Sequence, residues 1–291
     1  MELKSHIALA DKSFSESKAN KCRLYLQVSH YDVKLLVFDT TSTTFTALKV
    51  YLLADVYTDH ALSEKLKKLM ETDAWFQLSF LSVNIAMVNN RATIIPAALF
   101  SKEDMAAIHQ FNFTPNDTDL YFTDKFLSLS AVNVYSVPEI VANCFDAIKN
   151  KQFYHFSTSL ISASLLHAKN SGVMAGIDVH VLPGSFQIII TKAQKLVLYN
   201  SFTYQTSEDF IYYLLFVLDQ QNIDHQKVNI RLLGEVEKNS AIFTLVNTYI
   251  HQVTFVEKEN LTTNPSLQLS YVFDEIAPAY YYSIFQQYLC E

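Results

Sequence analysis

The side chains best suited to nucleophilic chemistry lie together just after the middle of the chain. His155 is followed by three hydroxyl residues, Ser157, Thr158 and Ser159. A working base and nucleophile must meet within hydrogen-bond reach and be oriented by a third group. Because neighbouring side chains along a strand alternate between its two faces, we expect these groups to point apart and to serve packing rather than catalysis.

Other motifs with a defined chemistry are absent from the sequence. It contains no Walker loop, Rossmann glycine fingerprint, GxSxG elbow, HExxH pair or paired-cysteine metal spacing. Asp224 and His225 form an adjacent acid–imidazole pair, but their place before a predicted strand indicates a turn rather than a ligand set. We therefore expect no catalytic residue, no metal site and no bound cofactor.

A repeated order of predicted elements must position any functional side chains. Three short β-runs and then an amphipathic helical run occupy residues 22–70, and the same order returns over residues 177–218. The first turns of the two copies fall at His30–Tyr31 and at Pro183–Gly184, half a chain apart. A repeat at this separation indicates a duplicated architecture.

The segments outside the repeat are predicted to alternate strands and helices. Residues 76–88 and 92–96 have the pattern of a β-hairpin, and Ser101 begins a helix in the style of a capping box. In the second half, Thr206 and Asp209 form a capping box before an apolar helix. Strands joined in sequence and then alternating with helices indicate mixed sheets with helical cover.

The predicted elements divide the chain into two domains. The first, residues 1–155, begins with a loosely held polar arm of about twenty residues. The second, residues 156–291, ends in an aromatic helix that contains Tyr280–Tyr282, Phe285 and Tyr288. We expect this helix to pack in the core, and an exposed protein-binding surface is the alternative.

The unit of meander, helix, strand, helix and strand resembles the duplicated ribonuclease-H-like architecture of actin-like ATPases. Five local patterns occur along the chain, and they are Thr93-Ile-Ile-Pro96 with Leu99-Phe100, Asp119-Leu-Tyr-Phe122, Val137-Pro138, His155-Phe-Ser-Thr158 and Leu289-Cys-Glu291. Together they resemble a bacterial family found in Bacteroidetes, domain of unknown function 3822. That family is associated with an actin-like ATPase fold. The resemblance implies an α/β chain of two ribonuclease-H-like halves and implies no established activity.

The resemblance also implies where a nucleotide would bind, namely at two hairpin loops of the type Asp-x-Gly-Ser/Thr. The glycine lets the backbone approach phosphate, and the acid holds metal and water. In the first half, Gln27 occupies the acidic position and Ser29 the glycine position. The bulky residues His30 and Tyr31 stand where small hydroxyl residues belong. The first loop therefore departs from the pattern at each of these positions.

The second loop departs from the same pattern. Alignment on the following strand places His180 at the acid and Leu182 at the glycine, with Gly184 in the turn. A shifted register places Asp178 at the acid, but His180 then replaces the glycine. The adenosine-binding Gly-Gly pair is also missing, because Gly234 stands alone. We therefore interpret the nucleotide site as degenerate.

Composition restricts the classes of partner. The formal net charge of −7 disfavours nucleic acid, and the basic clusters Lys65/Lys67/Lys68 and Lys149/Lys151 are interpreted as solvated faces. The apolar stretch Ile211–Leu218 is too short to span a bilayer. No secretory signal is visible, and three scattered cysteines fit reduced thiols. These features predict a soluble cytoplasmic protein that binds no membrane.

The leading functional hypothesis is a non-catalytic protein of actin-like fold that acts through contacts with an unidentified protein partner or as a scaffold. The alternative is a divergent nucleotide-binding protein or ATPase whose acids would be Asp32, Asp178 and Glu235. A small-molecule binding module that reuses the cleft without hydrolysis is a third hypothesis. The sequence leaves the oligomeric state open.

Overall fold

A computed structural model describes residues 4–290 and divides the chain into two compact units. Unit 1 contains the residues up to 159 together with residues 264–275 and those from 287 onward. Unit 2 contains residues 160–263 and 276–286. Each unit therefore includes a segment from the C-terminal part of the chain.

Strands and helices alternate irregularly along residues 4–290. The strands are β1 (Ile7–Ala10), β2 (Cys22–Val28), β3 (Asp32–Asp39), β4 (Thr44–Leu52), β5 (Ser82–Met87), β6 (Ala92–Pro96), β7 (Asp119–Lys125), β8 (Ala131–Pro138), β9 (Lys151–His155), β10 (Ala175–Leu182), β11 (Ser185–Lys192), β12 (Lys195–Thr203), β13 (Asn229–Gly234), β14 (Gln252–Phe255) and β15 (Gln268–Leu269). The α-helices are α1 (Asp59–Thr72), α2 (Met105–Gln110), α3 (Glu139–Ala142), α4 (Phe156–Ser171), α5 (Ser207–Gln220), α6 (Ala241–Tyr249) and α7 (Pro278–Phe285).

Unit 1 is built on a sheet in the order β1-β4-β3-β2-β5-β9, with β15 also paired to β4. Strands β2, β3 and β4 form an antiparallel meander, whereas β5 and β9 run parallel to β2. The central strands are nearly continuous apolar runs because both of their faces are buried. The Thr58 side chain accepts a hydrogen bond from the Ala61 amide and so caps the N-terminus of α1.

Unit 2 repeats this arrangement with the strand order β12-β11-β10-β13-β14. Strands β10–β12 form the antiparallel meander, and β13 and β14 continue the sheet in parallel. In both units the first strand of the meander pairs with the strand that follows the first helix. This recurrence confirms the predicted internal duplication. The predicted capping box is also confirmed, because Thr206 and Asp209 cap α5 reciprocally.

The predicted hairpin over residues 76–96 is wrong. Strand β5 lies in the large sheet between β2 and β9, whereas β6 joins β8 and β7 in a separate three-stranded sheet. Both strands are apolar and both flank a turn at Asn89–Asn90, so local pattern alone could not show that they pair with different partners.

Two further predictions need correction. Residues 4–20 are not only a loose arm, because β1 adds an antiparallel strand to the edge of β4 and so satisfies backbone groups there. Ser101 does not begin a helix; its hydroxyl accepts a hydrogen bond from the Glu103 amide in a turn, and α2 starts at Met105. Within residues 4–290, no helix has the length and apolar character needed to cross a bilayer.

Candidate functional site

The hairpin loop of unit 1 is closed by its own side chains. The Ser29 hydroxyl oxygen accepts hydrogen bonds from the amides of Tyr31 at 3.0 Å and Asp32 at 2.9 Å, and it donates to the Asp32 carboxylate at 2.8 Å. The Ser29 amide donates to the Asp32 carbonyl. A phosphate-binding loop needs free backbone amides, and these three are already used within the loop.

Buried charge follows directly after this loop. Asp32 and Lys34 are both almost inaccessible to solvent, and their carboxylate oxygen and ammonium nitrogen lie 2.6 Å apart. Gln27 is the register partner of Lys34 on β2 and is buried beside it. His30 is half-buried and its Nε2 lies 3.2 Å from the Asp59 carboxylate. The position expected to hold an acid therefore holds an amide, and the nearest acid is paired with a lysine.

The hairpin loop of unit 2 is a two-residue turn at Pro183–Gly184. Leu182 and Ser185 flank it as register partners, and the positive φ of Gly184 suits the third position of a type II turn. The Tyr204 hydroxyl donates to the Leu182 carbonyl at 2.9 Å. The turn is therefore tight and is tied to the residue that follows β12.

Behind this turn, His180 belongs to a polar chain that crosses the meander. Its Nδ1 lies 3.0 Å from the Gln187 side-chain oxygen, and the Gln187 amide donates to the Ser201 hydroxyl at 3.3 Å. His180 and Gln187 are buried register partners on β10 and β11. This contact accounts for a buried imidazole at the position where the motif would place an acid.

Asp178, the acid of the shifted register, forms a bidentate ion pair with Arg231. The two residues are register partners on the parallel strands β10 and β13, and their N···O distances are 2.8 and 2.6 Å. The Ser164 hydroxyl donates to the same carboxylate at 2.5 Å. Burial acts to raise the pKa of Asp178, but the Arg231 charge and these hydrogen bonds outweigh it and lower the pKa.

Gly234 has a backbone role beside this pair. It has a φ of +80°, and a Cβ added there would lie 2.1 Å from the Val181 carbonyl oxygen. The Glu235 amide donates to the same carbonyl at 2.8 Å. The lone glycine is thus required by the close approach of β13 to β10.

The nucleophile candidates of segment 155–159 meet, contrary to expectation. His155 Nδ1 lies 2.6 Å from the Ser157 hydroxyl because Phe156 begins α4, so the alternation of a strand ends there. The Asn133 amide group donates to Ser157 at 3.0 Å and to Thr158 at 2.9 Å. The other members of this network lie on β7 and β8. Sequence reasoning did not find them, because no local pattern marks them.

The network ends on a buried carboxyl group. Asp124 accepts hydrogen bonds from Thr158 at 2.7 Å, from the His155 amide at 2.8 Å and from the Tyr135 hydroxyl at 3.1 Å. Burial raises the pKa of Asp124 to about 7 although these hydrogen bonds act to lower it. Burial lowers the pKa of His155 to about 3, against its hydrogen bond to Asn89. With His155 and Ser157 fully buried, the pair has the geometry of a base and a nucleophile but no access for a substrate.

The remaining candidates have structural contacts. Asp224 pairs with Lys227 at 2.9 Å, and His225 Nδ1 lies 2.7 Å from the Tyr249 carbonyl oxygen. Tyr282 and Phe285 of α7 are fully buried, which fits core packing. Among residues 4–290, no group of three or more His, Cys, Asp or Glu side chains is arranged to hold a metal ion.

Comparisons with known proteins agree with this architecture. A Bacteroides thetaiotaomicron protein with actin-like ATPase fold and unknown function superposes with a TM-score of 0.77 and 19% identity over 86% of this chain and 97% of its own. The PilM–PilN type IV pilus biogenesis complex gives a TM-score of 0.58 and 11% identity over 91% of this chain and 97% of the matched chain. No curated protein matches the sequence significantly.

The fold is therefore that of the actin-like ATPases, a mixed α/β architecture, as the sequence predicted. The profile of one sequence family matches residues 11–253, which is most of the chain. The chain belongs to the family described as protein of unknown function, DUF3822.

Proposed function

We propose that this protein is a non-catalytic member of the actin-like fold that acts through protein contacts or as a scaffold, with a degenerate nucleotide site. The observation that carries the proposal is the pairing of both loop-proximal acids with buried cations. Asp32 is paired with Lys34, and Asp178 is paired with Arg231. An acid that already neutralises a buried cation is a poor ligand for Mg²⁺, because a buried cation left without its partner is costly.

The loops support the same proposal. Ser29 and Leu182 add side chains where phosphate requires a bare backbone, and the Ser29 hydroxyl occupies the amides of Tyr31 and Asp32. A chain of the same fold occurs in the PilM–PilN complex, so the architecture is compatible with protein contacts. The three free cysteines, Cys22, Cys144 and Cys290, fit a reducing cytoplasm, which is part of the proposal.

Nucleotide titration tests the first half of the proposal. The purified protein is mixed with ATP and Mg²⁺ while its unfolding temperature and phosphate release are followed. A ligand at one hundred times its dissociation constant would stabilise the protein by about 2.7 kcal/mol, so an unchanged unfolding temperature is expected. A clear rise together with phosphate release would instead favour the divergent nucleotide-binding protein. Asp32→Asn, Asp178→Asn and Glu235→Gln would then identify its acids.

Reciprocal capture tests the second half. Crosslinking in native cells with this protein as bait should enrich a defined protein, and that protein used as bait should recover this chain. Failure of reciprocal recovery in cells where the chain is abundant would contradict a role through protein contacts.

A further inference from the structure

A cavity of about 580 Å³ with both apolar and polar lining opens in unit 1 where β2 and β5 begin, at the end of β2 opposite the Ser29 loop. Its deepest side chains are buried core residues, and they are Leu24, Trp75, Phe80 and Val83. Half-buried apolar side chains form the walls, and they are Met70, Phe76, Leu78 and Ile148. This volume falls within the range of small-molecule sites, and the buried side chains supply the apolar part of the lining.

Two lysines stand at this cavity, one from each basic cluster that the sequence suggested was a solvated face. Lys67 projects from α1, and Lys149 comes from the segment before β9. Neither forms an ion pair with another side chain of residues 4–290. Glu71 is the one carboxylate of the lining. The cavity therefore offers two uncompensated ammonium groups against one acid in a chain of net charge −7.

The thiol of Cys144 places one of these charges close to the cavity. Cys144 is half-buried in the lining, and burial raises its pKa while the Lys67 charge acts to lower it. Lys67 is exposed to solvent, and its charge acts on this thiol at the cavity wall.

We propose that this cavity binds an amphipathic carboxylate, with an apolar body about the size of a medium-chain fatty acid. The body would pack against the buried aromatic side chains, and the carboxylate would lie between Lys67 and Lys149. The apolar walls account for the body because removing apolar surface from water is the main favourable contribution to such binding. The two lysines account for the preference for an anion.

The chain carries its own reporter for this site, because Trp75 is its single tryptophan. The indole is held by an edge contact with Phe14 at 5.4 Å between ring centroids and by the Lys49 ammonium 4.2 Å from the ring centroid. The Trp75 amide also donates to the Asp73 carboxylate at 2.7 Å. A ligand-dependent change in its emission would therefore report occupation of the cavity.

The test is a titration of the full chain with decanoate below its micelle concentration, followed by Trp75 fluorescence. A saturable change is expected, with 1-decanol binding at least tenfold more weakly and acetate giving no change. The paired variant Lys67→Ala/Lys149→Ala should weaken decanoate binding at least tenfold. The control Lys65→Ala/Lys102→Ala removes the same charge from residues outside the lining and should leave the affinity unchanged.

A cavity-filling variant completes the design. Ala147→Phe adds bulk at the lining without a second tryptophan, so it should abolish the response while cooperative unfolding is retained. The proposal is overturned if decanoate gives no saturable change, if decanol binds as tightly, or if the Lys67→Ala/Lys149→Ala variant keeps wild-type affinity. A persistent response in Ala147→Phe would place the binding elsewhere and overturn it equally.

Discussion

At the scale of single residues, the Asp178–Arg231 pair makes a large and testable contribution to stability. Arg231→Ala would leave the Asp178 carboxylate buried with only Ser164 as partner, and we expect a loss of about 3–5 kcal/mol in the free energy of unfolding. Asp178→Leu/Arg231→Met removes both charges and should lose much less. Urea unfolding of the two variants measures the difference. Equal losses would show that packing, not the unpaired charge, is what matters.

A second residue-scale prediction concerns opposing pH dependences in the buried network. Asp124 has its pKa raised from 3.8 to about 7, so the folded state holds its proton more tightly and stability falls as pH rises across that interval. His155 has its pKa lowered from 6.5 to about 3, so stability is lost as pH falls from 6.5 toward 3. The two contributions should largely cancel between about pH 4 and 6.5.

Single variants should expose each contribution. Relative to the parent, the free energy of unfolding of Asp124→Asn should rise with pH, and that of His155→Gln should fall with pH. Each slope should differ from the parent's by up to about 1.4 kcal/mol per pH unit. Urea unfolding at half-unit steps from pH 4 to 7 measures both slopes. Slopes parallel to the parent's would mean that neither group titrates differently in the folded and unfolded states.

At the scale of elements, Gly234 permits the close approach of β13 to β10. Gly172 and Gly234 both have positive φ, but a Cβ at Gly172 would meet nothing within 4 Å, whereas at Gly234 it would lie 2.1 Å from the Val181 carbonyl oxygen. Gly172→Ala should therefore cost about 1 kcal/mol from backbone strain alone. Gly234→Ala should cost at least about 3 kcal/mol. Similar losses in chemical unfolding would contradict a role for the close approach.

The elements also show what the sequence could and could not predict. The two meanders, the Pro183–Gly184 turn and the Thr206 capping box were predictable because each depends on a local pattern. The separate sheets of β5 and β6 were not predictable, because the partners of a strand depend on the whole sheet. The Asp32–Lys34 ion pair could have been predicted, because side chains two residues apart lie on the same face of a strand.

Side-chain contacts between residues far apart in the sequence had no local pattern that could predict them. Arg231 reaches Asp178 only through the register of β10 and β13, strands separated in the chain by β11, β12 and α5. His155 and Ser157 meet because a helix begins between them, which reverses an inference drawn from strand alternation. The loop departures at Gln27, Ser29, His180 and Leu182 were readable in sequence, and their functional meaning stays a prediction.

At the scale of the whole molecule, the C-terminal part of the chain completes unit 1. The Gln287 side-chain amide donates to the Leu26 carbonyl at 3.1 Å and the Asn84 carbonyl at 2.9 Å, which ties the central strands β2 and β5. Strand β15 pairs with β4, and Ser270 hydrogen-bonds to Asp11. The predicted first domain, residues 1–155, lacks all three of these contacts.

The fragment 1–155 should therefore fold poorly although it holds the five-stranded core β4-β3-β2-β5-β9. Loss of Gln287 removes two buried hydrogen bonds to β2 and β5, and each such bond contributes about 0.5–1.5 kcal/mol, which is appreciable against the small net stability of a domain. We expect a broad, non-cooperative urea transition for the fragment and a cooperative one for the full chain. Gln287→Ala in the full chain is the matched variant, and it should lower stability without abolishing cooperativity. A fragment that unfolds as sharply as the full chain would instead support residues 1–155 as an independent domain.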